Sequence, residues 1–158
     1  MSAPDAVAVQ EMWASYVGAT GHDGPLQGAF AFGNSAQLAD ELGGLVLHGP
    51  KCATAGLVVD YVRDAEPLPV VGEHSIVVDG SGRPLCVVRT VDVRLGPLSS
   101  VDEAFAWDEG EGDRSLAYWW DAHVGFFTRR CATLGVHFTE DIEVCFERFE
   151  TVWPADPA

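Results

Sequence analysis

His74-Ser75-Ile76-Val77-Val78-Asp79, followed by Gly80-Ser81-Gly82-Arg83 and by Pro84-Leu85-Cys86-Val87-Val88-Arg89-Thr90-Val91-Asp92-Val93-Arg94-Leu95, is the stretch that decides the fold. The first run reads as a strand. Asp79-Gly80-Ser81-Gly82 is a strong turn signal. The second run places Val87, Arg89, Val91 and Val93 at a spacing of two, which is the period of a half-buried strand. The two runs are expected to form a hairpin. Ile142 to Trp153 adds a long closing strand, and residues 52–62 read as a strand or a short helix.

Helical patterns flank these strands. Val9, Met12, Trp13, Tyr16 and Val17 fall at i, i+3, i+4, i+7 and i+8, the spacing of an amphipathic helix over residues 5–19. Gly28 to Gly33 alternates small and aromatic residues and suggests a short extended piece. Asn34 or Ser35 can then cap a second helix with Leu38, Leu42, Leu45 and Val46 on its apolar face, ending at Gly49-Pro50. Ser99 or Ser100 is expected to begin a short helix through Phe105 and Ala106. Asp113 or Ser115 is expected to cap a long one carrying Leu116, Trp119, Trp120, His123, Phe127 and Leu134, which Gly135 ends. With no repeat or linker, residues 1–158 read as one α+β domain. The expected architecture is an antiparallel or mixed sheet of five or six strands curled into a small barrel, with helices at its rim.

Composition narrows the function classes. The 158 residues are 47% hydrophobic and 21% charged, as in a globular protein. No apolar run approaches the roughly 20 residues that span a bilayer. Met1-Ser2-Ala3-Pro4-Asp5 lacks the charged and apolar regions of a signal peptide, so a cytoplasmic protein with no membrane partner is expected. Cys52, Cys86, Cys131 and Cys145 are widely spaced and are expected to be free thiols. The net charge of −15 repels polyanions. Duplex DNA binding draws on Lys and Arg at phosphates, so duplex DNA is not an expected partner.

Eight of the nine basic residues are arginine, and Lys51 is the one lysine. Its setting is Gly49-Pro50-Lys51-Cys52-Ala53-Thr54. A surface lysine beside a turn is the plain reading. The sharper one uses what lysine alone offers, a compact amine that burial can turn into a base. A second feature lies between Ser99 and Asp113, where six carboxylates stand without a basic residue. Either this is a solvated acidic loop, or one carboxylate among Asp108, Glu109, Glu111 and Asp113 is held for acid–base work. The run lacks the spacing of a calcium loop. His22, His48, His74, His123 and His137 show no metal-ligand spacing, so no metal is expected, and the default for His123 is a packed histidine.

Several blocks together resemble the ASCH domain superfamily, whose fold is a PUA-like β-barrel. They are Phe30-Ala31-Phe32-Gly33, the segment from Gly49 to Thr54, Gly72-Glu73-His74 and the segment from Gly82 to Val88. The most specific run from Ala106 to Ser115 and from Tyr118 to Phe127. The resemblance extends from about Phe30 to Trp153. It implies a cleft related to those of RNA-handling PUA domains. Small bacterial relatives remove acetyl from N(4)-acetylcytidine with a K-x-x-T lysine and threonine, matched by Lys51 and Thr54, and an A-x-x-E glutamate, matched by Ala106 and Glu109. This chain is longer than those enzymes by its N-terminal helix, its acidic glycine loop and its aromatic helix.

The implied catalytic set is therefore Lys51, Thr54 and Glu109. Candidate ligand-binding residues of the same cleft are Phe32, Trp107, Glu111, Asp113, Ser115, Trp119 and His123, with Phe30 as a further stacking wall. No cofactor is implied. The partner implied by the resemblance is a small nucleoside or a short single-stranded RNA. Hydrolysis of an acylated nucleoside leads, with a non-catalytic RNA or modified-nucleotide binding module and a single-strand ribonuclease as alternatives. Lys51, Thr54 and Glu109 should converge on one concave surface, with the amine within about 4 Å of a partner. If Lys51 is a base, Lys51→Arg should abolish deacetylation.

Overall fold

The structure, a computed structural model, describes residues 1–155. The hairpin forms as its pattern requires. Strand β3 (His74–Val78) pairs antiparallel with β4 (Pro84–Pro97), placing His74 opposite Arg89 and Ile76 opposite Val87. Asp79 Oδ1 accepts from the Ser81 and Arg83 amides and from the Ser81 hydroxyl, which holds the turn closed. Gly80 is needed for close packing, because a Cβ there would lie 2.6 Å from Ala36 Cα.

Strand β5 (Glu143–Trp153) runs antiparallel along the length of β4, and β2 (Ala53–Leu57) pairs antiparallel with the far side of β5. Strand β1 (Leu26–Phe30) adds to β3 in parallel. The order is β1-β3-β4-β5-β2. The sheet is mixed, as one of the two expected forms, but the expected barrel is corrected: the sheet is open, with β1 and β2 as its edges. The physical reason is that β1 is only five residues long and its register with β3 is interrupted between Leu26 and Ala29. The chain then turns at Gly33 (φ 82°) into the next helix and never reaches β2. The gap between the two edges becomes the cleft described below.

The period of two on each strand sends alternate residues to opposite faces. Ile76, Val78 and Val87 pack under α1 (Ala6–Thr20), against its Val9 and Tyr16. Val77, Cys86, Val88 and Phe149 face the other way and pack against Phe32 and against Leu42 and Val46 of α2 (Ala36–His48). A third cluster joins Ala53, Leu57, Val144 and Phe146 to Phe105, Trp119, Phe127 and Cys131. Burying each large apolar side chain contributes roughly 1.5–3 kcal/mol, so strand alternation alone commits the chain to helices on both faces.

Residues 52–62 contain both elements, β2 and then α3 (Val58–Arg63). Ser35 caps α2 by accepting from the Leu38 amide. Ser115 caps the long α5 (Leu116–Leu134), which ends at Gly135 in the left-handed region. The expected start of the short helix at Ser99 or Ser100 is incorrect. Leu98–Ser100 is one 3-10 turn, and Asp102 caps α4 (Glu103–Glu109) by accepting from the Phe105 amide. The Ser100 hydroxyl is used otherwise, accepting from Arg94 and donating to the Pro97 carbonyl. All four cysteines are free thiols, and no described helix is long and apolar enough to cross a membrane.

Candidate functional site

The Lys51 segment is tied down on three sides. Its amide donates to the Leu45 carbonyl of α2. The Cys52 amide donates to the Asp108 carbonyl of α4, and the Cys52 carbonyl accepts from the Phe149 amide of β5. The Lys51 side chain is therefore inside the protein, with the residue only 2% exposed. Its Nζ lies 2.9 Å from the Ala53 carbonyl, 2.9 Å from Glu111 Oε2, 3.3 Å from Glu109 Oε1 and 3.4 Å from the Glu109 carbonyl. The Phe32 ring centroid is 5.3 Å away, within the roughly 6 Å reach of a cation–π contact. Gly110 permits this cage. Its φ is 72°, and a Cβ on it would sit 2.8 Å from the Lys51 amide nitrogen.

Glu109 ends α4 and is 3% exposed. Trp119 Nε1 donates to its Oε2 at 2.6 Å. Its Oε1 meets Lys51 and lies 3.4 Å from His123 Nε2. Trp119 and His123 are four residues apart on α5, so they share a face, and their rings stack at 3.8 Å and 11°. The His123 Nδ1 pairs with the Trp119 carbonyl at 2.8 Å. Burial by itself would raise the Glu109 carboxyl, but Lys51 first, then His123 and the Trp119 indole, outweigh it and hold it well below the usual carboxylate range.

This depression has a consequence for stability. A carboxyl lowered by folding stabilises fully above its unfolded value and loses that contribution as pH falls through the folded one. Stability is expected to decline as pH drops below the ordinary carboxylate range, and Glu109→Gln is expected to flatten that decline. Urea unfolding at a series of acidic pH values checks it. An unchanged slope in Glu109→Gln would move the acid sensitivity to another carboxylate.

Thr54 joins two adjoining hollows. The smaller, of about 250 Å³, is bordered by Lys51, Thr54, Glu109, Glu111, His123 and Phe126. The larger, of about 600 Å³, occupies the gap between β1 and β2, over Phe30, Tyr61, Thr90, Glu147 and Phe149. Phe32, Gly33 and Thr54 border both. Together they fall in the size range of small-ligand clefts, roughly 300–1,000 Å³. Another hollow of about 460 Å³, beside Ser99, Leu116 and Trp120, lies apart from Lys51 and carries no cationic side chain.

The structure thus brings Lys51, Thr54 and Glu109 to one cleft and adds Phe32, Glu111 and His123 to its wall, with Trp119 behind as the donor to Glu109. It leaves three expected ligand-binding residues outside. Trp107 is 56% exposed on the far side of α4, where Arg114 covers its ring at 3.6 Å. Phe105, Ala106 and Glu109 form the buried face of that short helix, so its geometry turns Trp107 away. Asp113 and Ser115 are spent on structure: Asp113 accepts from the Ser115 amide, and Ser115 caps α5. Glu147, Thr90 and Tyr61 line the larger hollow and were not expected. Glu147 had a readable signal, since it falls two residues from Cys145 and from Phe149 and so puts a carboxylate on an inward strand face.

A protein-family model described as the ASCH domain matches residues 28–153. The ASCH domain from Lactobacillus crispatus JV V101 has a similar crystal structure, with a TM-score of 0.86 and 32% identity over 92% of this chain and 94% of that one. Protein EF3133 from Enterococcus faecalis V583 is similar with a TM-score of 0.85 and 31% identity, over 94% of this chain and 90% of that one. No curated protein matches the chain significantly.

Proposed function

The chain belongs to the ASCH domain family, and from that premise we propose that it hydrolyses an acylated nucleoside of the N(4)-acetylcytidine type where its two hollows meet. The observation that carries this reading is that a buried lysine paired with a fixed carboxylate borders the same small hollow as Thr54. Thr54 Oγ1 forms a bond to the acyl carbon, the carbon–nitrogen bond breaks, and the amine departs with the hydroxyl proton. Water then cleaves the threonyl ester and releases the acid. Lys51 acts as the fixed cation that the developing oxyanion meets. Its three N–H donors are shared among four oxygens, the Glu109 pair being the long ones at 3.3 and 3.4 Å, so an oxyanion can take over one donor. Glu109 is a positioning residue, held by Trp119 and in turn holding Lys51. Glu111 is the more exposed carboxylate of the cage, with 27% of its side chain accessible, and is the one suited to relay the proton.

A second reading, a non-catalytic module for a modified nucleotide or short single-stranded RNA, is favoured by the same cage. A fixed buried cation can hold a ligand oxygen without any bond being broken. Chromatography of N(4)-acetylcytidine incubated with the protein separates the two. The hydrolase reading expects cytidine and acetate to accumulate in proportion to enzyme. A short single-stranded RNA should bind weakly and steeply lose affinity with salt, because a net charge of −15 leaves few cations for phosphates. Intact substrate together with tight, salt-insensitive RNA binding would favour the binding module, and cleaved RNA would favour a ribonuclease.

A further inference from the structure

We propose that the larger hollow is a ring-recognition pocket in which Glu147, fixed by Thr90, selects a neutral, N–H-bearing, unphosphorylated heterocycle and rejects phosphate. The pocket adjoins the Lys51 cage but is chemically distinct from it. In the ladder between β2 and β5, Thr54 stands directly opposite Glu147. Side chains so paired share one face, with Cβ atoms about 4.5–5.5 Å apart. A ligand whose acyl carbon reaches Thr54 therefore lays the attached ring over Glu147.

The walls suit a flat ring. Phe30, 39% exposed, offers its ring to the hollow and stands edge-on to Phe32 at 5.0 Å, with Phe32 and Phe149 packed on each other behind it at 5.9 Å and 26°. Apolar walls give a ring area to bury, and a small number of polar groups then fix its orientation. Among the polar residues of the lining, Glu147 is the carboxylate opposite Thr54 on the strand ladder. The Thr90 hydroxyl donates to its Oε2 at 2.7 Å, which leaves Oε1 to meet whatever fills the space. Burial pushes the Glu147 carboxyl up and Glu73 pushes it further, while the Thr90 hydroxyl opposes them. A carboxylate left partly desolvated in this way gains from a ligand N–H donor, because a hydrogen bond to a charged group is among the stronger ones.

Charge sets the rejection. The lining includes Glu66, Glu73 and Glu147 and no lysine or arginine. Lys51 lies in the neighbouring hollow and is faced by Glu109 and Glu111. A phosphate drawn into the larger hollow would lose water and meet carboxylates without a countercharge. A nucleoside thus fits where a nucleotide does not. The inference rests on the hydrolase reading only for placing an acyl group at Thr54; the pocket chemistry stands without it.

The test titrates cytidine and cytidine 5′-monophosphate into the full chain, following backbone amide resonances of Thr90, Glu147 and Phe149 by NMR. The proteins are wild type, Glu147→Gln and Thr90→Val. Cytidine should shift those resonances, and the monophosphate should bind at least about tenfold more weakly. Glu147→Gln should lose about tenfold or more in cytidine affinity, the scale of one hydrogen bond to a charged group, and should narrow the gap between the two ligands. Thr90→Val, which keeps the carboxylate but frees it, should lose less. If Glu147→Gln does not fold, Thr90→Val carries the test, and unchanged affinity there overturns the proposal. So do equal affinities for the two ligands in the wild type, an unaltered Glu147→Gln, or no shift near Glu147. Turnover of N(4)-acetylcytidine by the same preparations separates the two ideas. Turnover with wild-type selectivity in Glu147→Gln removes the pocket and keeps the hydrolase; cytidine binding at Glu147 without turnover does the reverse.

Discussion

Lys51→Met is expected to cost about 3–5 kcal/mol of folding stability, because it leaves the buried Glu109 carboxylate without its cation. The size of the effect follows from burial: a carboxylate that is 3% exposed is poorly solvated once the ammonium is gone. Most of that cost belongs to the unpaired charge, not to lost packing. The double variant Lys51→Met with Glu109→Gln is therefore expected to recover a large part of it, since the amide still accepts from Trp119 Nε1. Urea denaturation of the wild type, both single variants and the double variant measures the coupling. A loss below about 1 kcal/mol in Lys51→Met, the range of an exposed ion pair, would show that Lys51 and Glu109 do not depend on each other. Lys51→Arg does not isolate a base in this protein. A planar guanidinium is larger than the ammonium that the cage encloses, so that variant loses the site whichever role Lys51 plays.

Thr54→Val is the second large effect. It keeps the branched shape that suits β2 and removes the hydroxyl. Stability should change little, because Thr54 borders both hollows instead of a packed core. Hydrolysis of N(4)-acetylcytidine should fall by roughly 10³-fold or more, as expected when a nucleophile is lost. Binding of cytidine should persist. Steady-state assays by chromatography check the first point and thermal unfolding the second. Near-normal turnover in Thr54→Val would leave the chemistry to an activated water.

Much of this was legible in local patterns. The hairpin follows from the period of two in residues 84–95 and from the turn at Asp79. The start of α5 and its end at Gly135 follow from capping chemistry that acts within a turn of the helix. Lys51 stands out by composition, and its buried cage agrees with that singularity. What local patterns do not carry is the pairing of β1 with β3. Those strands are separated by α2, β2 and α3, and their parallel register depends on contacts no short window contains. The open edge between β1 and β2 was lost with it. The acidic run hides its roles for a related reason. Charge alone does not separate Glu109, turned inward on the buried face of α4, from Asp113, turned out to hold a loop. Residues 52–62 were ambiguous because Val58 and Val59 suit strand and helix alike, and packing decides for the helix after Leu57.

The central claim is that Thr54, beside Lys51 and Glu109, takes the acyl group from a nucleoside. The most direct measurement is rapid acid quenching of the protein during turnover of N(4)-acetylcytidine, followed by peptide mass spectrometry. The account predicts an acetyl group on the peptide containing Thr54, formed with the first release of cytidine and absent from Thr54→Val. Cytidine release with no acetylated protein at any quench time, and with Thr54→Val as active as the wild type, would contradict it.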